Sequence, residues 1–112
     1  MATTAVAFPI LPGKVDDVRR FAAEIMGPRR EELSKSFRGF GITREAWYLQ
    51  PMPQGALLVA YIEAEDPLRM FHQWAASQDP FDVWYKQQAG ACAGIDFSRP
   101  VPGLPDQVMN WP

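Results

Sequence analysis

The stretch from Gly41 to Asp66, GITREAWYLQPMPQGALLVAYIEAED, constrains the fold more than any other part of the chain. Two runs of strand-type residues, Ile42 to Gln50 and Ala56 to Glu65, flank the turn Pro51-Met52-Pro53-Gln54-Gly55, which is short enough to force a hairpin. In the second run Leu57, Val59 and Tyr61 alternate with Leu58, Ala60 and Ile62. In the first, Ala46 and Tyr48 alternate with Trp47 and Leu49. A sheet with one wet face alternates apolar with polar residues. This hairpin is apolar on both faces, so both need cover. The chain's own helices can cover one face. A second copy of the chain is the expected cover for the other, which predicts a homodimer through the sheet face.

The remaining segments supply a first strand and the helices. Thr3 to Leu11 alternates large and small residues, with Val6, Phe8 and Ile10 on one side and Ala5 and Ala7 on the other, which is the strand period. After Pro12-Gly13, residues Val15, Val18, Ala22 and Ile25 recur at helical spacing, with charges on the opposite side. Pro28 lacks an N–H and breaks a helix interior but suits a first turn. Two helical pieces are expected, about 14–26 and 28–37. Asp66-Pro67 and Asp79-Pro80 each place a capping carboxylate before a proline, the signature of a helix start. The first of these two helices carries Leu68, Phe71 and Ala75 as its expected buried stripe; the second carries Phe81, Trp84, Tyr85, Gln88 and Cys92. Residues 94–105 are a Pro-rich connector, and 106–112 form either a last short strand or an arm laid on a partner.

Composition excludes several function classes. A chain of 112 residues forms one domain, spanning 1–112. A net charge of −2 carries no basic surplus, so no nucleic-acid partner is expected. The N-terminus has no basic start and is broken by Pro9 and Pro12, unlike a signal peptide. No apolar run reaches the length of a membrane span, so no membrane association is expected. A single cysteine, Cys92, rules out an internal disulfide and fits a reducing, cytoplasmic setting. One cysteine and one histidine far apart in sequence make no metal cage, and no HExxH, GxGxxG or phosphate-loop motif is present.

The order strand, helix, hairpin, helix pair, last strand resembles the dimeric α+β-barrel superfamily on the ferredoxin-like fold, and within it a small bacterial family. The likeness rests on ILPGK at 10–14, GPRREE at 27–32, GITREAWYLQP at 41–51, EAEDP at 63–67 and DPFDVW at 79–84. It implies an α+β fold with a β-α-β-β-α-β antiparallel sheet, helices on one face, and two sheets packed face to face as a dimeric α/β barrel. It also implies a ligand pocket between each sheet and its helices. Members of the superfamily include cofactor-free monooxygenases, haem-degrading enzymes, isomerases and ligand-binding proteins. The haem-degrading members combine a helix His with a Trp and an Asn. His72, Trp74 and Asn110 do not fall at the matching positions, so no haem and no other cofactor is expected.

The candidate ligand-binding residues are Arg44, Trp47, Tyr61, Glu63, His72 and Trp74. Pairing Gln50 with Gly55 sets Arg44 opposite Tyr61, with Glu63 one diagonal away on the same face. That cluster is either a structural ion pair or the polar mouth of a pocket, where arginine could hold an acidic or enolic substrate and glutamate could take a proton. Trp47 and Trp74 belong to an aromatic set that serves as core or as the wall of a pocket for a flat ligand. By residue type His72 is the obvious general base, but the favoured account of it is a partly exposed helix residue bonded to a neighbour. The expected function is binding of a small apolar or aromatic ligand by a homodimer. The alternative is a cofactor-independent monooxygenase or isomerase acting on a small aromatic or enolic compound.

Overall fold

The computed structural model describes residues 2–112. The elements run β1 (Ala2–Ile10), α1 (Val15–Met26), α2 (Arg30–Gly39), β2 (Ile42–Pro51), β3 (Ala56–Ala64), α3 (Pro67–Ala76) and α4 (Pro80–Ala93). The three strands form one antiparallel sheet in the order β1-β3-β2, with the second hairpin strand at its centre. The fold is therefore α+β, but the four-stranded β-α-β-β-α-β pattern is not reached. Residues 106–112 form neither strand nor helix. Pro100, Pro102 and Pro105 withhold ladder donors only in the connector before this segment, which itself pairs with neither edge of the sheet.

Local signals act where they stand. The Asp66 carboxylate accepts a hydrogen bond from the Arg69 N–H at 3.1 Å, and the Asp79 carboxylate accepts one from the Phe81 N–H at 3.1 Å. Each satisfies a backbone donor that the first helical turn would leave unpaired. Gly94 ends α4 at φ 68°, a left-handed conformation that glycine adopts without strain. Gly90 lets the Ile95 carbonyl oxygen come so close that a Cβ would sit 2.6 Å from it. The chain thus folds back tightly onto α4 before the tail begins.

The helices cover one face of the sheet. Val6, Ala60, Ile62 and Ala64 from the strands pack with Met70 and Phe71 of α3, while Phe21, Ile25, Leu33, Phe81 and Tyr85 form a second cluster among the helices. On α3 the buried residues are Pro67, Met70, Phe71 and Ala75, and Leu68 faces solvent, so Met70 rather than Leu68 completes the stripe. Burying side chains of this kind contributes roughly 1.5–3 kcal/mol each.

Charged residues inside α4 join the helices together. Asp82 is buried and accepts hydrogen bonds from the hydroxyls of Ser36 (2.5 Å) and Ser77 (2.6 Å). The buried Lys86 ammonium donates to the carbonyls of Ala75 (2.8 Å) and Ser77 (2.9 Å), which closes the C-terminal end of α3. Arg29, held by Glu32 at 2.9 and 3.1 Å, lies 3.8 Å from the ring centroid of Trp84. The start of α2 is thereby fixed against α4.

The tail first packs and then leaves the body. Phe97 sits against Phe8 and Trp74, with ring centroids 5.1 and 5.5 Å away. Val101 and Leu104 pack on the sheet cluster. Beyond them Val108, Met109 and Trp111 are exposed, Trp111 by 84%. Among the described residues no helix is long and apolar enough to cross a membrane.

Candidate functional site

The site is built by strand alternation and one irregularity. In β2 the register shifts between Ile42, which pairs with Ala64, and Arg44, which pairs with Glu63. This bulge leaves one extra residue, Thr43, on β2. From there onward Glu45, Trp47 and Leu49 share the helix-covered face with Ile42. Arg44, Ala46, Tyr48 and Gln50 share the open face.

Beneath the helices the two faces of the core do not close completely. A cavity of about 70 Å³ remains between the sheet and the helices. An apolar cavity of about 150 Å³ takes up a benzene, so this space admits a single small ring only when its walls give way. Its floor is Val6 and Phe8 of β1, Ala60 and Ile62 of β3, and Trp47 of β2. Its roof is Phe21, Phe37, Phe71, Trp74 and Tyr85. The lining is almost wholly carbon. The exception with a charge is Glu45, whose carboxylate accepts a hydrogen bond from the Trp47 indole N–H at 2.7 Å.

Removal from water dominates the electrostatics. Burial pushes the Glu45 carboxyl up to about 7, with the Trp47 hydrogen bond pulling the other way. Glu45 can therefore take up or release a proton near neutrality, the condition for a general acid or base. The Tyr85 hydroxyl is held well above the usual phenol range, first by burial and then by the nearby charge of Glu45. Burial likewise raises the Cys92 thiol, which lines the same cavity and is held in its unreactive form.

A second, outer groove of about 210 Å³ runs between α2 and the edge strand β2. It shares Phe37, Ile42 and Glu45 with the cavity, and Arg30, Arg38 and Arg44 stand along it. Glu45 thus forms part of the partition between the interior and a basic, solvent-exposed groove.

The six residues expected to bind ligand are divided among three places. Trp47 and Trp74 reach the cavity wall. Arg44, Tyr61 and Glu63 lie together on the opposite, open face. Their register differs by two residues from the expected one, because Gln50 pairs with Leu57 rather than Gly55. A shift of two keeps every side chain on its face. Arg44 is therefore directly opposite Glu63, and Tyr61 is the diagonal neighbour. The Tyr61 hydroxyl donates to Glu63 at 2.7 Å, and the Arg44 guanidinium lies 6.0 Å from the Tyr61 ring centroid. That hydrogen bond is the main reason the Tyr61 hydroxyl is raised above its ordinary value. His72 is on the exposed side of α3, its Nε2 3.3 Å from the Val101 carbonyl oxygen, where it fastens the tail and does not meet the cavity.

Two cavity residues, Glu45 and Tyr85, stand outside the expected set. The sequence signal for Glu45 is a charge inside an apolar strand run, beside Arg44. Nothing local distinguishes which of the two neighbours faces inward. Tyr85 sits on an α4 stripe that is rich in aromatic residues and reads as plain core.

No curated protein matches the chain. A family model matches residues 1–107, nearly the whole length: the chain belongs to the family of unknown function DUF6176.

Proposed function

We propose that the chain binds a small apolar or aromatic ligand in the cavity between sheet and helices and acts as a homodimer. The observation that carries the ligand reading is an aromatic-walled cavity in which, among the described residues, one carboxyl is the only charged group. Sites for small molecules commonly have this form, an apolar lining with few, placed polar groups. The dimer reading is supported by the open sheet face. There Ala5, Ala7, Leu57, Val59, Tyr61, Ala46 and Tyr48 are neighbours by register, and Tyr48 is 60% exposed. An apolar surface of this kind is costly in water and marks an interaction site. Two such sheets face to face would give the dimeric α+β barrel. The buried, unpaired Cys92 fits a reducing, cytoplasmic setting.

A second reading, a cofactor-independent monooxygenase or isomerase acting on a small aromatic or enolic compound, draws on one specific observation. Glu45 has the proton affinity of a general base and sits inside the cavity. Native mass spectrometry of the purified protein tests the main reading. A dimer retaining a small molecule is expected, and Ala60→Phe, which fills the cavity floor, should abolish retention while leaving the dimer. A strictly monomeric protein would overturn the dimer. Undiminished retention by the filled variant would overturn the cavity as the site.

A further inference from the structure

Buried tyrosine hydroxyls ordinarily hold a hydrogen bond. Tyr85 is only 6% exposed, and its ring is packed edge-on by Phe21 (5.1 Å), Trp74 (5.6 Å) and Trp47 (6.2 Å). Among the described residues its hydroxyl has no protein hydrogen-bond partner, whereas the other buried polar side chains, Asp82 and Lys86, have two each. No sealed side-chain oxygen or nitrogen among the described residues lacks a partner. The Tyr85 oxygen is therefore not sealed by packing, and Tyr85 is one of the residues that line the cavity. Glu45 lines the same cavity with one carboxylate oxygen engaged by Trp47 and the other unengaged. The Trp47 indole packs against the Tyr85 ring and donates to Glu45, and the Glu45 charge acts on the Tyr85 hydroxyl.

We infer that Tyr85 and Glu45 together recognise a single phenolic or enolic hydroxyl on a one-ring ligand. The Tyr85 O–H donates to that oxygen, and the ligand's own O–H donates to the free Glu45 oxygen. The chemistry of the pair selects the group. A ketone oxygen would accept from Tyr85 and leave the carboxylate without a donor. An ammonium would satisfy the carboxylate and leave Tyr85 without an acceptor. A hydroxyl answers both with one atom. The cavity, about 70 Å³ against the ~150 Å³ that takes up a benzene elsewhere, limits the body of the ligand to no more than one ring, admitted as the wall side chains move. This inference rests on the cavity being the ligand site.

Phenol and toluene, equal in shape and differing in the hydroxyl, are the probes. Their affinities are read from the chemical shift of the Trp47 indole N–H at about pH 8, where Glu45 is ionised. Both should bind, phenol about ten-fold more tightly. Tyr85→Phe should weaken phenol about five-fold and leave toluene unchanged, and Glu45→Gln should act in the same sense. Equal binding of phenol and toluene, or variants that weaken both alike, would overturn the hydroxyl inference and keep the cavity as a site. Failure of both probes to shift the Trp47 signal would overturn both. The wild-type comparison needs no variant and decides the matter even if Tyr85→Phe does not fold.

Discussion

The two faces of the sheet have nearly the same apolar character and opposite surroundings. On the helix-covered face, Val6, Ala60 and Ile62 are buried and meet Phe71, and the residual space is lined by aromatic rings with Glu45 at one edge. On the open face, Val59 and Tyr61 are only partly buried and Tyr48 is largely exposed, with the Arg44–Tyr61–Glu63 group at one end. The contrast separates two meanings of the same pattern. Apolar alternation states that a face is to be buried and does not state by what. A charge on the covered face is forced into a shifted proton affinity, whereas charges on the open face find each other or water.

The largest test of this contrast is deletion of the covered side. Phe71→Ala should lower the unfolding free energy by about 3–5 kcal/mol in urea titrations. A loss under about 1 kcal/mol would mean that the covered face is less tightly packed than it stands here. Next is the charge on that face. The Glu45 carboxyl has a higher proton affinity folded (about 7) than unfolded (the ordinary 4.5), so the folded state holds the extra proton between these values. Its contribution is fully present below about pH 4.5 and is lost as the pH rises through about 7, a change of up to about 3 kcal/mol. Comparing urea midpoints at about pH 5 and about pH 8 measures it, and Glu45→Gln should remove this share of the slope. An unaltered slope would place Glu45 in water.

On the open face the expected effect is on assembly rather than on the single chain. Val59→Arg puts a charge at the centre of the uncovered surface. Sedimentation should show monomers, with the unfolding free energy of the monomer changed by less than about 1 kcal/mol. A loss of several kcal/mol in the isolated chain would show that this face is already buried within one copy. The smallest effect is expected away from both faces. His72→Ala removes one long contact to the tail and should cost about 0.5 kcal/mol or less by thermal melting, while proteolysis of the tail beyond Val101 becomes faster.

Much of the fold could be read from the residues because its signals are local. Asp66-Pro67 and Asp79-Pro80 start helices with their own side chains, and the hairpin is set by a short turn with alternation on either side. The tail was less legible. Asp106 to Trp111 has strand-like alternation, but pairing requires an available edge, and a window of sequence contains no information about edges. The candidate site was legible only in part. Trp47 and Trp74 reach the cavity, while Arg44, Tyr61 and Glu63 form a separate group, because a two-residue register error preserves faces. Glu45 and Tyr85 stand outside the expected ligand-binding set for different reasons. The face of Glu45 cannot be extrapolated from Ile42 across the bulge at Thr43, and the freedom of the Tyr85 hydroxyl depends on what α1, α2, β2 and α3 around it fail to provide.

The bulge at Thr43 acts on everything downstream of it in β2. Strand side chains have a parity, and one inserted residue exchanges odd for even. With the bulge, Glu45 and Trp47 point under the helices. Were the same sequence to pair from Ile42 onward without it, Arg44, Ala46 and Tyr48 would occupy those places, and the interior would hold a cation instead of an acid. Loss of Thr43 itself would leave an unbroken ladder, with Ile42 opposite Ala64 and Glu45 opposite Ile62 on the face they now share. A comparison of homologous strands should accordingly count residues between the glycine at 41 and the tryptophan at 47 before it compares their identities.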